Sequence, residues 1–520
     1  MASAASVQRD VHGCSGRLGV ESVMHSLLRM LVFTGLYTTI ASARAGDPRF
    51  TDQTAALGLT LTGEKAAWCD INADGWPDLL CGGRLFLNRN GQSFDAVDIP
   101  GFGAGLIVDL DNDGDGDVIS YSPLATLRNL GFDEHGLPHF EPVALPELPE
   151  TLSRGAAAGD FNGDGFADVY IGGYEIWETQ RTFPDLLLLG DGTCGFTLAK
   201  VFPDYRARGV TACDFDADGD LDIYVSNYRL QPNVLWINDG QGRIVDEAPQ
   251  RNAVATSPGF DGGHSIGACW GDFDGDGLFD LFAGNFAHVD DRGDQPKSRF
   301  LHNRSPDQWV FDDLHECGVW YQESYASPAC ADFDNDGHLD LYFTTVYPIA
   351  SFSKENHAVL YRQSEPWKFL DVTAGSGLDA LPPTYQAAWA DYDHDGRVDL
   401  VTGGRLYRNE TPDPGHWLAV HLIGDNSSPG GRDAIGAQVR VTLADGRYVT
   451  SQIEAGTGEG NSNSPILHFG VGSWSVDRKI DVAVRWPGSA IWQAADSAIA
   501  DRLITLTRPS TESPDNRPPE

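Results

Sequence analysis

A nine-residue pattern, Asp-x-Asp-x-Asp-Gly-x-x-Asp with Asn allowed at the third position, occurs seven times in this chain of 520 residues. Each copy has a glycine at the sixth position, where a loop that wraps around a cation must turn sharply. Seven copies at intervals of 39 to 60 residues predict one structural unit repeated along the chain. The copies, numbered here as loops one to seven, begin at Asp70, Asp109, Asp160, Asp214, Asp272, Asp332 and Asp391.

The oxygen donors of this pattern have the spacing of a calcium loop. Calcium takes six to eight oxygens, and carboxylates at positions one, three and five with a backbone carbonyl at position seven supply most of them. An Asp at position nine closes the loop, and we expect up to seven bound calcium ions. The loops at Asp70 and Asp160, which have Asn at position three, are expected to be the weakest. The predicted ligands are Asp70, Asn72, Asp74, Trp76 and Asp78; Asp109, Asp111, Asp113, Asp115 and Asp117; Asp160, Asn162, Asp164, Phe166 and Asp168; Asp214, Asp216, Asp218, Asp220 and Asp222; Asp272, Asp274, Asp276, Leu278 and Asp280; Asp332, Asp334, Asp336, His338 and Asp340; and Asp391, Asp393, Asp395, Arg397 and Asp399.

The residues around each loop favour strands over helices. Position two is apolar in every copy, and runs rich in β-branched and aromatic residues follow the ninth position. Residues 46–409 divide into about 52 per copy, which is enough for four short strands. The sequence therefore predicts an all-β fold with a seven-bladed β-propeller. A linear solenoid is the alternative, but calcium-binding solenoids repeat every few residues.

A different pattern begins after residue 409. Residues 410–416 contain two prolines and form a predicted linker, which we expect to be open to proteases. Alternating segments at 417–424, 436–442, 480–486 and 503–507 predict a small β-sandwich over residues 417–508. The run 454–464 is interpreted as a solvated loop, and residues 509–520 as a disordered tail.

The first 45 residues have the features of a secretory signal. Arg29 precedes a short apolar run that ends in a small-residue cleavage site after Ala45, and Met24 is an alternative start. The apolar run is too short to span a membrane. A secreted, periplasmic or cell-surface location follows.

Seven cysteines remain after the predicted cleavage. In an oxidising compartment, Cys69 with Cys81 or Cys317 with Cys330 would form a cross-strand disulfide. Buried free thiols are the alternative, and the odd number of cysteines requires at least one.

The net charge of the chain restricts the classes of partner that it can bind. With 36 basic and 75 acidic residues the formal net charge is −39, and seven calcium ions would leave −25. Such a surface is poorly suited to nucleic acid or anionic lipid. The 14 histidines are scattered, and the zinc-protease pattern HExxH does not occur. These observations favour a non-catalytic protein.

The repeat units, with outer hairpins such as Leu-Tyr-Arg-Asn at 406–409, resemble the FG-GAP or VCBS repeats of integrin-α-like propellers. Residues 431–437, 468–472 and 485–487 resemble the ASPIC and UnbV domain that ends members of the cartilage acidic protein family, although Pro-Gly-Ser at 487–489 departs from the expected Pro-Ser-Gly. The resemblance implies a calcium-binding propeller that recognises partners. Together with the predicted signal, it leads us to expect a secreted, monomeric protein that mediates adhesion through contact with an extracellular protein or glycan. The alternative is an extracellular propeller enzyme, such as a polysaccharide lyase or hydrolase, or an accessory protein of a biosynthetic pathway.

Overall fold

The computed structural model describes residues 46–99, 101–290, 293–304, 308–349, 351–475 and 477–509. The predicted signal and nearly all of the predicted tail lie outside this range. The described residues are all-β, as predicted, with two short 3-10 helices at Trp177–Thr179 and Ser351–Ser353 and no α-helix. No described helix is long and apolar enough to cross a membrane.

Seven four-stranded antiparallel sheets account for most of residues 50–409. Six of them use four strands in chain order, and the seventh takes its outer strand, β1, from the start of the described chain. Sheets three and five each carry an extra two-stranded hairpin between their second and third strands.

The strands are β1 (Phe50–Asp52); in sheet one β2 (Ala66–Cys69), β3 (Asp78–Cys81), β4 (Arg84–Asn88) and β5 (Phe94–Asp98); in sheet two β6 (Ala104–Val108), β7 (Asp117–Ser122), β8 (Leu124–Phe132) and β9 (Pro138–Val143); in sheet three β10 (Ser153–Gly159), β11 (Asp168–Gly173), the hairpin β12 (Glu175–Ile176) and β13 (Arg181–Thr182), β14 (Asp185–Gly190) and β15 (Phe196–Phe202); in sheet four β16 (Ala207–Cys213), β17 (Asp222–Asn227), β18 (Val234–Asn238) and β19 (Ile244–Asp246). They continue in sheet five with β20 (Ser265–Gly271), β21 (Asp280–Asn285), the hairpin β22 (Val289–Asp290) and β23 (Gly293–Asp294), β24 (Arg299–Asn303) and β25 (Phe311–Asp313); in sheet six with β26 (Tyr325–Ala331), β27 (Asp340–Thr345), β28 (Val359–Glu365) and β29 (Lys368–Asp371); and in sheet seven with β30 (Ala388–Ala390), β31 (Asp399–Thr402) and β32 (Arg405–Asn409).

The sheets are arranged in a closed ring. The first strand of each sheet packs against the first strand of the next, and β30 of sheet seven packs against β2 of sheet one. Strand β1 pairs with β32, with Phe50 opposite Asn409, so the two ends of the ring are joined within one sheet. We interpret the sheets as the blades of the predicted propeller.

Apolar residues at position two of the loops anchor them in the core between sheets. Ile71, Phe161 and Phe333 are completely buried. Phe333 packs on Phe50 of the closing strand, with ring centroids 6.0 Å apart. Each loop joins the first and second strands of its sheet, as the flanking residues predicted.

Residues after 416 form two further sheets. One consists of β33 (His416–Ile423), β36 (Leu467–Gly472) and β39 (Arg502–Thr507), and the other of β34 (Gln438–Thr442), β35 (Tyr448–Gln452), β37 (Val482–Arg485) and β38 (Gln493–Ala494). The sequence predicted β33, β34, β37 and β39 but not β35, β36 or β38. The buried residues of this C-terminal domain belong to the same apolar cluster as those of sheets one to four, so the two parts share a core.

The linker is held in place, contrary to the expectation of an open segment. Glu410 N–H donates to the Arg49 carbonyl at 2.6 Å, and Gly415 N–H donates to the Asp334 carbonyl at 2.9 Å. Thr411 is completely buried. Backbone pairing to Arg49 and to loop six therefore anchors both ends of this segment, while Pro412 and Asp413 between them are exposed. We expect the C-terminal domain to stay attached even after cleavage there.

The cysteines of the described residues are all free thiols. Cys69 lies opposite Asp78 and Cys81 opposite Ala66, so the first predicted pair sits at opposite ends of its hairpin. The second pair is also separate, because Cys330 lies opposite Leu341 while Cys317 precedes the strand. Of the two interpretations, the structure agrees with free thiols, five of which are buried, whereas Cys317 and Cys330 are partly exposed.

Candidate metal centres and the domain that covers them

Hydrogen bonds within each loop bring its carboxylates together. In loop six, Asp332 accepts from Asp336 N–H at 3.1 Å and from Gly337 N–H at 2.8 Å. Gly337 has a φ of +83°, a conformation that glycine adopts without strain and that explains its place at position six. Carboxylate oxygens of Asp332, Asp334 and Asp336 lie within 4.8 Å of one another. Equivalent clusters form at positions one, three and five of loops two and four.

The Asp at position nine has a structural role that sequence reasoning missed. In loop three, Asp168 accepts from Phe161 N–H at 2.9 Å and from Gly190 N–H at 2.8 Å. It thereby ties the start of the loop to the third strand of the sheet. The same pair of bonds recurs at Asp78, Asp117, Asp280, Asp340 and Asp399.

Because of this role, two Asp residues of the same loop should differ measurably in how much they contribute to the free energy of unfolding. Without calcium, Asp168→Ala is expected to lower the free energy of unfolding by about 3 kcal/mol or more, since two buried or partly buried backbone N–H groups lose their acceptor. Asp164→Ala, an exposed position of the same loop, should cost less than about 1 kcal/mol under the same conditions. Urea titrations of both variants in a chelator measure the difference, and equal costs would contradict the structural role.

The electrostatics of the loops favour a bound cation. Burial, followed by the neighbouring carboxylates, raises the pKa of Asp272 and of Asp391 to about 8. Burial is also the main cause that raises the pKa of Asp70 to about 7. A divalent cation would relieve this mutual repulsion, and the carboxylate and carbonyl donors of these loops are the hard oxygens that calcium prefers. The residues present therefore fit calcium.

The third strand of each sheet contributes one more side chain, whose identity affects the net charge around the loop. It belongs to the residue immediately before the Asn that usually ends that strand. In loops two, six and seven it is Arg128, Arg362 or Arg408, and each contacts the position-three Asp. Arg362 lies 2.6 Å from Asp334, for example. Loops one and three have Asn at position three, and there the same place is occupied by Leu87 or Leu189.

The arginine offsets the additional carboxylate. Counted over positions one, three, five and nine, loops with four Asp and this Arg and loops with three Asp and no such Arg both carry a net charge of −3. Loop four has four Asp with Ile237 in that place and keeps a net charge of −4, so the expected weakness of the loops at Asp70 and Asp160 stays a prediction. Alignment of the hairpins, with attention to the residue before the Asn, would have revealed this pairing from sequence.

The C-terminal domain covers the loop end of the ring. Gly430 N–H donates to Asp160 at 3.1 Å, and Thr450 N–H donates to Asp272 at 3.2 Å. Arg485 lies 3.5 Å from Asp214. Other contacts join Asp433 to loop two and His468 to loop six. Cations in these loops would thus lie at an interface between the two parts of the chain.

The run 454–464, which the sequence analysis interpreted as a solvated loop, instead inserts into the centre of the ring. Its backbone pairs with the first strands of three sheets through Ala455, Gly458 and Ser462. Glu459 is completely buried and contacts Arg208 and Lys65, with 2.6 Å to Lys65 Nζ. Burial lowers the pKa of Lys65 to about 8 in spite of this ion pair. We call residues 454–464 the plug.

The comparisons with known proteins agree with these features. The sequence matches the family described as FG-GAP-like repeat over residues 214–283 and 332–402 and the family described as ASPIC and UnbV over residues 427–513. Cartilage acidic protein 1 of Mus musculus is 24% identical over 383 residues, which cover 69% of this chain and 55% of the mouse protein. The Homo sapiens protein is 25% identical over 317 residues, which cover 59% of this chain and 44% of that protein.

The chain thus spans about half the length of the curated relatives it matches. A solved structure of BBS1N in complex with ARL6DN has a TM-score of 0.38 at 11% identity, covers 70% of this chain and 97% of that chain, and is too distant to bear on function. The chain thus contains FG-GAP-like repeats and, toward its C-terminus, a segment that matches the ASPIC and UnbV family, and it is similar to cartilage acidic protein 1.

Proposed function

We propose that this chain is a secreted, non-catalytic calcium-binding protein that contacts an extracellular protein or glycan and so contributes to adhesion. Calcium would hold the loops and the C-terminal domain in one geometry rather than contact the partner. The observation that carries this proposal is the position of the C-terminal domain on the loops. Because the C-terminal domain occupies the loop end of the ring, we assign recognition to the opposite end.

The opposite end offers an exposed surface of suitable chemistry. Connections between second and third strands lie there, because successive connections of an antiparallel sheet alternate between its two ends. In sheets three and six these connections expose Trp177 at 52%, Tyr347 at 55% and Ile349 at 64%. The Arg229 guanidinium lies 3.9 Å from the Trp177 ring centroid. Aromatic and arginine side chains dominate the binding energy of many protein interfaces.

A chain of side-chain contacts joins the two exposed aromatic residues across this end of the ring. It runs from Trp177 and Arg229 through four further aromatic side chains to Tyr347, namely Tyr228, His264, His288 and Phe286. His264 and Phe286 are buried, so the row runs partly beneath the surface and links two exposed ends. We call Trp177 and Tyr347, together with the row that joins them, the aromatic face. Its contacts support recognition of one partner across several sheets by a single monomer.

The aromatic face can be tested while its partner is still unidentified. The mature protein, loaded with calcium, is applied to arrays of extracellular glycans and secreted proteins. Ligands of the wild type are expected to lose at least about tenfold in affinity in a Trp177→Ala and Tyr347→Ala double variant, since truncating a hot-spot residue costs about 2 kcal/mol or more. Ile491→Ala, which removes an exposed apolar side chain of the C-terminal domain, is the control. Ligands that bind the double variant as well as the wild type would refute the proposal.

The enzymatic alternative finds little support among the described residues. Residues 263–267, Gly-His-Ser-Ile-Gly, have the spacing of a nucleophile elbow, which requires an exposed serine on a turn from strand to helix. Ser265 instead begins strand β20, is completely buried and donates to Asn285 Oδ1 at 2.6 Å. The positively charged side chains at the centre of the ring, Arg208 and Lys65, form ion pairs with Glu459 of the plug. This pairing gives both side chains a structural role.

A further inference from the structure

Loop five differs from the other six loops in the side chain that its third strand presents. The residue before the Asn that usually ends the third strand is Arg in loops two, six and seven and Leu or Ile in loops one, three and four. In loop five this residue is His302. His302 lies on β24 and is 7% exposed. It is the only histidine at this position, so the donor atoms around loop five include one imidazole.

The imidazole faces the carboxylates of the loop. His302 Nε2 lies 2.8 Å from Asp274 Oδ2. Donor atoms of His302, Asp274 and Asp276 all lie within 4.8 Å of one another. Three donors so close together on two elements of one sheet could reach a single cation.

A simple hydrogen bond does not account for this arrangement. Neither ring nitrogen of His302 has a hydrogen-bond partner among the described residues, although Nε2 lies close to Asp274. The ring is held instead by Trp367, whose centroid is 4.8 Å away. A buried imidazole fixed by packing and left without a hydrogen bond is suited to ligate a metal.

We propose that loop five, through His302 together with Asp274 and Asp276, binds a divalent transition metal such as zinc in preference to calcium. Calcium takes oxygen ligands, whereas imidazole suits zinc and its neighbours, and zinc also accepts carboxylates. The chain would then contain two classes of cation site. This inference rests on the proposed cation-binding role of the loops and specifies the metal at one of them.

The test compares metal content in the presence of competing calcium. Protein without a polyhistidine tag is kept in about 1 mM calcium, a concentration that suits extracellular calcium sites, and is titrated with Co²⁺ or Zn²⁺. Visible absorption reports Co²⁺ with nitrogen ligation, and mass spectrometry after gel filtration counts bound zinc and calcium. One equivalent of transition metal is expected in the wild type. His302→Leu, which reproduces the side chain of loops one and three, should weaken that site at least about tenfold.

Two further variants sharpen the result. His315→Leu removes a histidine that follows strand β25 of the same sheet and whose side chain is 71% exposed, and it should leave zinc uptake unchanged. Arg362→His introduces the imidazole into loop six and should add a second equivalent. X-ray absorption of the wild-type zinc complex should show imidazole in the coordination shell, and this measurement does not depend on how well any variant folds.

A wild type that takes up no transition metal, a His302→Leu variant that keeps full uptake, or a zinc shell without imidazole would each overturn the inference. Failure of the proposed function is distinguishable, because it would appear in the same samples as an absence of bound calcium at the other six loops.

Discussion

Chelation of calcium with EDTA is expected to lower the melting temperature of the mature protein by roughly 10 °C or more. Extracellular calcium sites have dissociation constants of about 0.1 to 1 mM, and at about ten times that concentration each contributes roughly 1.4 kcal/mol. The six loops other than loop five would together contribute on the order of 8 kcal/mol, which is comparable with the whole stability of a domain. Loss of the cations would also leave buried carboxylates in mutual repulsion, as in loop six, where Asp332, Asp334 and Asp336 cluster.

The effect should extend to the C-terminal domain, because that domain rests on the loops. Hydrogen exchange in EDTA is expected to increase both in the loops and in the plug, and excess calcium should reverse the change. Magnesium at the same concentration is the control, since it demands a tighter octahedral geometry and dehydrates reluctantly. An unchanged melting temperature after complete removal of calcium would show that the loops do not depend on it.

Glu459→Ala is expected to lower the free energy of unfolding by about 3–5 kcal/mol. The Glu459 carboxylate is completely buried and balances the charges of Arg208 and Lys65 at the centre of the ring. Its removal would leave two cations with little access to water, and this uncompensated burial is the source of the cost. Chemical denaturation in saturating calcium measures the loss.

Two comparisons separate this effect from a general loss of contacts. Glu410→Ala removes an ion pair with Arg49 in which the two side chains are 28% and 67% exposed, and it should cost less than about 1 kcal/mol. Combining Glu459→Leu with Arg208→Met should cost less than the sum of the single changes, since the double variant removes an anion together with one of its two cations. Additive costs would mean that the pair is not coupled.

The sequence alone was sufficient to predict the repeat unit, the all-β class and the place of the loops between buried strands. These properties depend on local patterns. The glycine at position six sets the turn, position two supplies an apolar anchor such as Phe333, and alternation after position nine predicts a strand. Because each pattern recurs seven times, every copy supports the interpretation of the others.

The tertiary structure alone decided what the C-terminal domain does. Residues 454–464 are polar and rich in glycine, so their composition predicted solvent exposure, yet their backbone pairs with the strands at the centre of the ring. The burial of Glu459 depends on Arg208, which is 251 residues away in the sequence. No local pattern records a partner at that distance.

The same reason explains the roles that were missed within the loops. The composition of loop five predicted oxygen ligands, but His302 reaches it from a strand 22 residues beyond Asp280, and only the pairing of β21 with β24 brings them together. Likewise, the position-nine Asp accepts hydrogen bonds from backbone N–H groups. Every residue type except Pro carries such a group, so the sequence does not reveal which of them the Asp contacts. The sequence thus determined the local geometry of each cation loop. Folding determined which distant side chains complete the loop, because charge and hydrogen bonding act through space rather than along the chain.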